Sequence, residues 1–169
     1  GARAGVPPWE AEERQLAKVQ RLFRDGDVEA AFAKAAHLQA SAEHQDFTGC
    51  VCGLVKAPPD QWLAEGGADG GPPLGMQVKI DVMLALARQL EVRATQDWET
   101  KAFWLEELWF AFDVNDHSVS ATAEEFCKQL SQALERSPFA KGDGEAPGQL
   151  RHLRKSAAQS ARHFRREAR

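Results

Sequence analysis

Apolar residues along this chain recur at spacings of three, four and seven, and glycine or proline breaks the pattern between one segment and the next. Trp9, Leu16 and Phe23 lie seven apart, with Val19 and Leu22 filling the same side. That period gathers side chains into one stripe on an α-helix but scatters them over both faces of a strand, so it commits the chain to helices. The kinds of apolar residue agree. Ile80 is the only isoleucine, tyrosine is absent, and alanine and leucine dominate. Strands draw on β-branched and aromatic residues, whereas Ala, Leu, Glu, Gln, Arg and Lys suit helices.

The first helix should open at Pro8 or Trp9, with proline suited to an early helical position, and stop at Asp25-Gly26. Asp27 can cap the next, over about 28–40, where Ala30, Ala31, Ala33, Ala35 and Ala36 permit close packing around Phe32 and Leu38. A shorter helix is predicted over 44–55, ended by Pro58-Pro59, with a further turn carrying Trp62 and Leu63. Residues 65–73 hold four glycines and two prolines and read as a flexible loop. A helix over 75–92 follows, with Met76, Ile80, Leu84, Ala87 and Leu90 as its stripe, widened by Val82 and Leu86. The next, over 96–112, is apolar on two sides: Trp98, Leu105, Trp109 and Phe112 on one, Phe103 and Phe110 on another. Such a helix is expected at the centre of a fold. Thr122 and Glu125 have capping-box spacing, though Asp116 or Ser118 could equally start the helix whose stripe is Val119, Phe126, Leu130 and Leu134. Residues 140–148 read as a linker. The final helix, over about 149–167, carries Leu150, Leu153, Ala157, Ala161 and Phe164.

These segments predict one all-α domain over 1–169, of antiparallel helices stacked into a helical-repeat-like superhelix. Residues 1–8 read as a disordered or tag-derived leader without the apolar stretch of a signal peptide. No apolar run nears the ~20 residues of a membrane span, so no membrane partner is expected. Three cysteines, Cys50, Cys52 and Cys127, are too few for a disulfide framework and fit a reducing, intracellular setting.

Side chains that could carry chemistry have plainer roles. Cys50 and Cys52, near His37 and His44, sit two apart and would diverge by about 200° on a helix, which opposes a shared metal. Cys127 follows Phe126 on an amphipathic helix and reads as packing. Adjacent Glu106 and Glu107 diverge by about 100°, and Glu99 with Glu106 reads as a solvated stripe. His117-Ser118 lies at a turn, where serine caps more often than it attacks. No Gly-Lys-Ser/Thr follows the glycine-rich loop. The expectation is a protein without enzymatic activity, cofactor or metal.

Charge is the feature with functional promise. Residues 150–169 hold seven basic side chains and one acid, a net +6, whereas the rest holds 14 basic and 24 acidic, a net −10. Arg151, Arg154, Lys155, Arg162, Arg165 and Arg166 can neutralise RNA phosphates, dock an acidic peptide or rest near anionic lipid. They can equally lie against the acidic body of the same chain. Phe164 is the lone aromatic among them, which opposes a base-stacking platform.

The order of several short motifs resembles the C-terminal domain of the enhancer-of-mRNA-decapping scaffold family (HEDLS in animals, Varicose in plants). Leu22-Phe-Arg-Asp-Gly26-Asp-Val-Glu-Ala30-Ala-Phe32 is similar to its glycine-then-Ala-Phe hairpin opening. Val51-Cys52 followed by Pro59-Asp60, then Pro73-Leu74 leading into Leu84-Ala-Leu-Ala-Arg-Gln-Leu90, match in sequence order. Lys101, then Leu105-Glu106-Glu107, then Asp113 and Asp116, match the lysine, Leu-Glu-Glu and paired aspartates of that pattern. The likeness spans about 19–137, and the arginine-rich last helix matches in character alone. Residues 65–73 stand as an insertion, and Trp98, Trp104 and Trp109 make one helix heavier in tryptophan. The resemblance implies a non-catalytic superhelix in cytoplasmic processing bodies that contacts mRNA-decapping or exonuclease-associated proteins through short peptide segments. It further implies that Lys101, Glu106, Glu107, Asp113 and Asp116 bind a partner or hold the fold. An RNA-binding module acting through the basic last helix, and an unrelated helical-repeat adaptor, are the alternatives.

Overall fold

Gly26 takes φ +85°, and the chain reverses there. The Asp27 amide donates to the Leu22 carbonyl at 2.9 Å and the Gly26 amide to the Phe23 carbonyl at 3.2 Å. This nested pair satisfies carbonyls that the end of a helix leaves unpaired. It joins α1 (Pro8–Arg24) to α2 (Val28–Leu38). The computed structural model describes residues 8–38, 74–93, 95, 97–113 and 115–167. Expectations for residues 1–7, for the helix over 44–55, for Trp62 and Leu63, for the 65–73 loop and for Cys50 and Cys52 lie outside the described residues.

Among the described residues four further helices follow: α3 (Met76–Gln89), α4 (Trp98–Ala111), α5 (Ala123–Arg136) and α6 (Glu145–Glu167). Two 3-10 turns, His117–Val119 and Pro138–Lys141, complete an all-helical architecture with no strand among the described residues. No described helix is long and apolar enough to cross a membrane.

The centre of the fold is α3. It packs against α2, α4, α5 and the His117–Val119 turn, and it buries Val78, Ile80, Val82, Met83, Ala85, Leu86 and Ala87. The 96–112 segment, apolar on two sides, does not take that place. In α4 the arc of Lys101, Ala102, Trp104, Leu105 and Leu108 is buried against α3 and α6, while Phe103 and Phe110 face out. An apolar wheel records which sides could be covered; the number of neighbours decides which sides are. Conversely, Val78, Met83 and Ala85, which lie off the predicted stripe of α3, are buried because helices surround it.

Small residues set the α2–α3 approach. Ala31, Ala35 and Ala36 are buried, and Phe32 reaches across to Trp104 with ring centres 5.8 Å apart. The Gly75 amide donates to the Glu29 carboxylate at 3.2 Å where α3 begins. Helices α5 and α6 form an antiparallel hairpin around Phe126, Cys127, Leu130, Leu134, Leu150, Leu153 and Ala157. Below it, Phe112 meets Phe126 edge-on at 5.0 Å, and Trp98 stacks on Phe139 at 4.8 Å.

One boundary differs from expectation, and at another the structure selects among the caps the sequence offers. The last helix starts at Glu145 rather than about 149, so the link after the Pro138–Lys141 turn shrinks to residues 142–144. Pro147 falls in the first turn, where a missing N–H costs nothing, and Gly144 supplies φ +112° just before it. Thr122 makes no side-chain cap; its hydroxyl donates back to the Val119 carbonyl at 3.2 Å. Asp116 caps instead, accepting from the Ser118 amide at 2.8 Å to start the 3-10 turn.

Candidate docking groove

The spacing of basic residues on α6 decides where each points. With Leu150, Leu153 and Ala157 turned into the core, Arg154, Ala158 and Arg162 form one adjoining row at four-residue steps, and Lys155 with Gln159 a second. Opposite them on α5 stand Ser131 and Glu135, one turn apart. Together these seven residues line an open groove of about 440 Å³ between the two helices. Its charged groups are three cations and one carboxylate, and Ser131 and Gln159 add neutral hydrogen-bonding groups.

The other basic residues of the segment are placed differently. Arg151 folds back, and its Nη1 donates to the carbonyls of Ala140 at 2.8 Å and Gly142 at 2.6 Å. It thereby fixes the turn ahead of α6. Arg165 pairs with Glu124 at 3.7 Å, tying the end of α6 to the start of α5. Arg166 is exposed in the last turn, beyond the groove, where a cation suits the helix dipole. Among the described residues the acidic body thus receives Arg165, while Arg154, Lys155 and Arg162 gather at the groove.

The positions carried by the family likeness lie elsewhere. Lys101 is buried, and its Nζ donates to the Thr95 hydroxyl at 2.5 Å, inside the α3–α4 connection. Glu106 and Glu107 are half-buried on α4. Burial, then the charges of Glu107 and Glu145, hold the Glu106 carboxyl above its usual range, with His152 opposing. Asp113 accepts from the Asn115 amide at 2.9 Å, shaping the turn after α4. The two hydrogen bonds from Ser118, side chain before backbone, hold Asp116 below the usual carboxylate range, with smaller help from His117 and Lys79. Lys79 itself is buried and donates to the Ala111 carbonyl at 3.4 Å, at the end of α4. Burial lowers its pKa, and the Asp116 charge opposes that. Lys101, Asp113 and Asp116 therefore act within the fold.

Ser131, Glu135 and Gln159 escaped the sequence reading. A signal for them existed: two amphipathic helices joined by a short turn must pair antiparallel, which sets the middle of α5 against the middle of α6. Cys127 offers no nucleophile, since burial pushes its thiol up to about 12. Among the described residues no three His, Cys, Asp or Glu side chains converge to hold a metal. The groove offers three cations beside one carboxylate and two neutral hydrogen-bonding side chains, a set that can contact anionic groups. No known protein family, characterised protein or solved structure matches the chain.

Proposed function

We propose that this is a non-catalytic docking domain whose α5–α6 groove receives short acidic segments of partner proteins. The observation that carries the reading is the convergence of Arg154, Lys155 and Arg162 on one open groove with Ser131 and Gln159. Paired or bifurcated contacts from guanidinium groups suit carboxylates, and a groove bounded by two helices suits an extended peptide. The ordered motifs that resemble the decapping-scaffold family support a narrower version. In it the domain closes a cytoplasmic scaffold of processing bodies and recruits decapping or 5′-to-3′ decay factors.

The test is co-purification from cytoplasmic extract with the full chain and with a variant carrying Arg154→Glu, Lys155→Glu and Arg162→Glu. The expected result is recovery of decapping or exonuclease components by the parent chain alone, unchanged by ribonuclease. Recovery of none by a folded chain overturns the scaffold reading. Binding of a single-stranded RNA oligonucleotide that falls steeply with salt and is lost in the variant assigns the groove to RNA instead.

A further inference from the structure

The outward face of α4 carries its own pattern. Phe103 and Phe110 are 47% and 69% exposed, and at seven-residue spacing they align within about 20° across two turns. Glu99 and Glu106 flank them on one side and Glu107 on the other. A single exposed apolar side chain is ordinary, but two aromatic rings aligned along one helix and bordered by carboxylates make a continuous amphipathic surface. The remaining arc of α4 is committed to α3 and α6. Glu107 and Glu145 lie near enough to Glu106 to add to the effect of burial on its carboxyl, with His152 on α6 opposing them. A cation arriving at this border is favoured.

We propose that this face docks an amphipathic helix of another protein, with apolar side chains seven residues apart and lysines or arginines beside them. Residues 39–73 of this chain carry five carboxylates and one lysine, so their charge does not complement the border. A second copy could offer the basic sides of α1 and α6. The apolar side chains of those helices, Leu16, Leu22 and Phe23 on α1 and Leu150, Leu153 and Ala157 on α6, already pack into its own core. A foreign helix supplies both the apolar anchors and the charge. This surface is separate from the α5–α6 groove and opposite in charge, so it stands or falls independently of the function proposed above.

The probe is a fluorescein-labelled helical peptide of about 18 residues, five turns, with leucines seven apart and flanking lysines. Its control is a scrambled isomer of the same composition, and both are titrated against the full chain. The ordered peptide should bind, and Phe103→Ala with Phe110→Ala should weaken it at least about 30-fold. Glu107→Gln should weaken it less and flatten its salt dependence. Circular dichroism checks the fold, and Phe110→Ser alone replaces the double variant if that one unfolds. Equal binding of both peptides, no binding of either, or undiminished binding by the phenylalanine variants overturns the proposal. A concentration-dependent dimer that the phenylalanine substitutions abolish overturns it as well, in favour of a second copy.

Discussion

The Ser137 hydroxyl donates a 2.6 Å hydrogen bond to the carbonyl of Leu90, between two side chains with no exposed surface. Leu90 ends α3 and Ser137 ends α5, and the same hydroxyl accepts from the Phe139 amide to start the Pro138–Lys141 turn. One oxygen therefore joins the ends of two helices to the turn that leads into α6. Ser137→Ala leaves the Leu90 carbonyl buried without this donor, a loss of about 1–3 kcal/mol. Urea unfolding should show a lower midpoint with an unchanged slope.

Gly26 makes a second prediction, separable from packing. A Cβ added there would meet nothing within 4 Å, so any cost of substitution comes from the φ of +85° alone. Gly26→Ala should cost about 1–2 kcal/mol. Gly26→Asn should recover part of that, because asparagine tolerates the left-handed region. Thermal melts of the two variants should rank in that order; equal losses would mean that the turn rearranges.

Much of the helical layout was legible because it depends on local chemistry: the period of Trp9, Leu16 and Phe23, the glycine at 26, the stripe of Phe126, Leu130 and Leu134. What was not legible depends on neighbours. The wheel of α4 shows two apolar sides, and no local rule says that Phe103 and Phe110 are the side left uncovered. Lys101 and Lys79 look like surface residues by type, yet the fold buries both and supplies each with an acceptor. On α6, type and order marked six basic residues alike. Their spacing divides them into rows, but only the packing of α6 on its neighbours shows that Arg151 serves the Ala140 and Gly142 carbonyls while Arg154, Lys155 and Arg162 reach the groove.

Glu106 should make the domain more stable when its charge is removed. Its folded pKa is raised, so between the unfolded value near 4.5 and the higher folded value the native state holds more protons than the unfolded chain. Stability conferred by that protonation is present below the unfolded value and declines as pH rises through the folded one. Glu106→Gln abolishes the penalty at neutral pH. Because the side chain is half-buried and screened by solvent, the gain should be a few tenths of a kcal/mol. Denaturation at pH 7 and at pH 4 should show the gain at the first and little at the second.

Cys127 supplies a test of how tightly the α5–α6 hairpin is closed. Burial raises its thiol from 9.0 to about 12, and the side chain has no exposed surface. Attack on an alkylating reagent needs a thiolate in contact with solvent, so reaction at neutral pH must wait for the hairpin to open. Peptide-resolved mass spectrometry with iodoacetamide should find Cys127 protected until denaturant approaches the unfolding midpoint. Above pH 9 the unfolded chain loses this proton while the native state keeps it, so stability should fall as pH rises from 9 towards about 12. Cys127→Ser places a hydroxyl in the apolar core. It should destabilise the domain by about 1–3 kcal/mol. Alkylation of Cys127 in the native state at the rate of a free thiol would show a hairpin that opens readily, and would remove the rigid wall that the groove of Arg154, Lys155 and Arg162 requires.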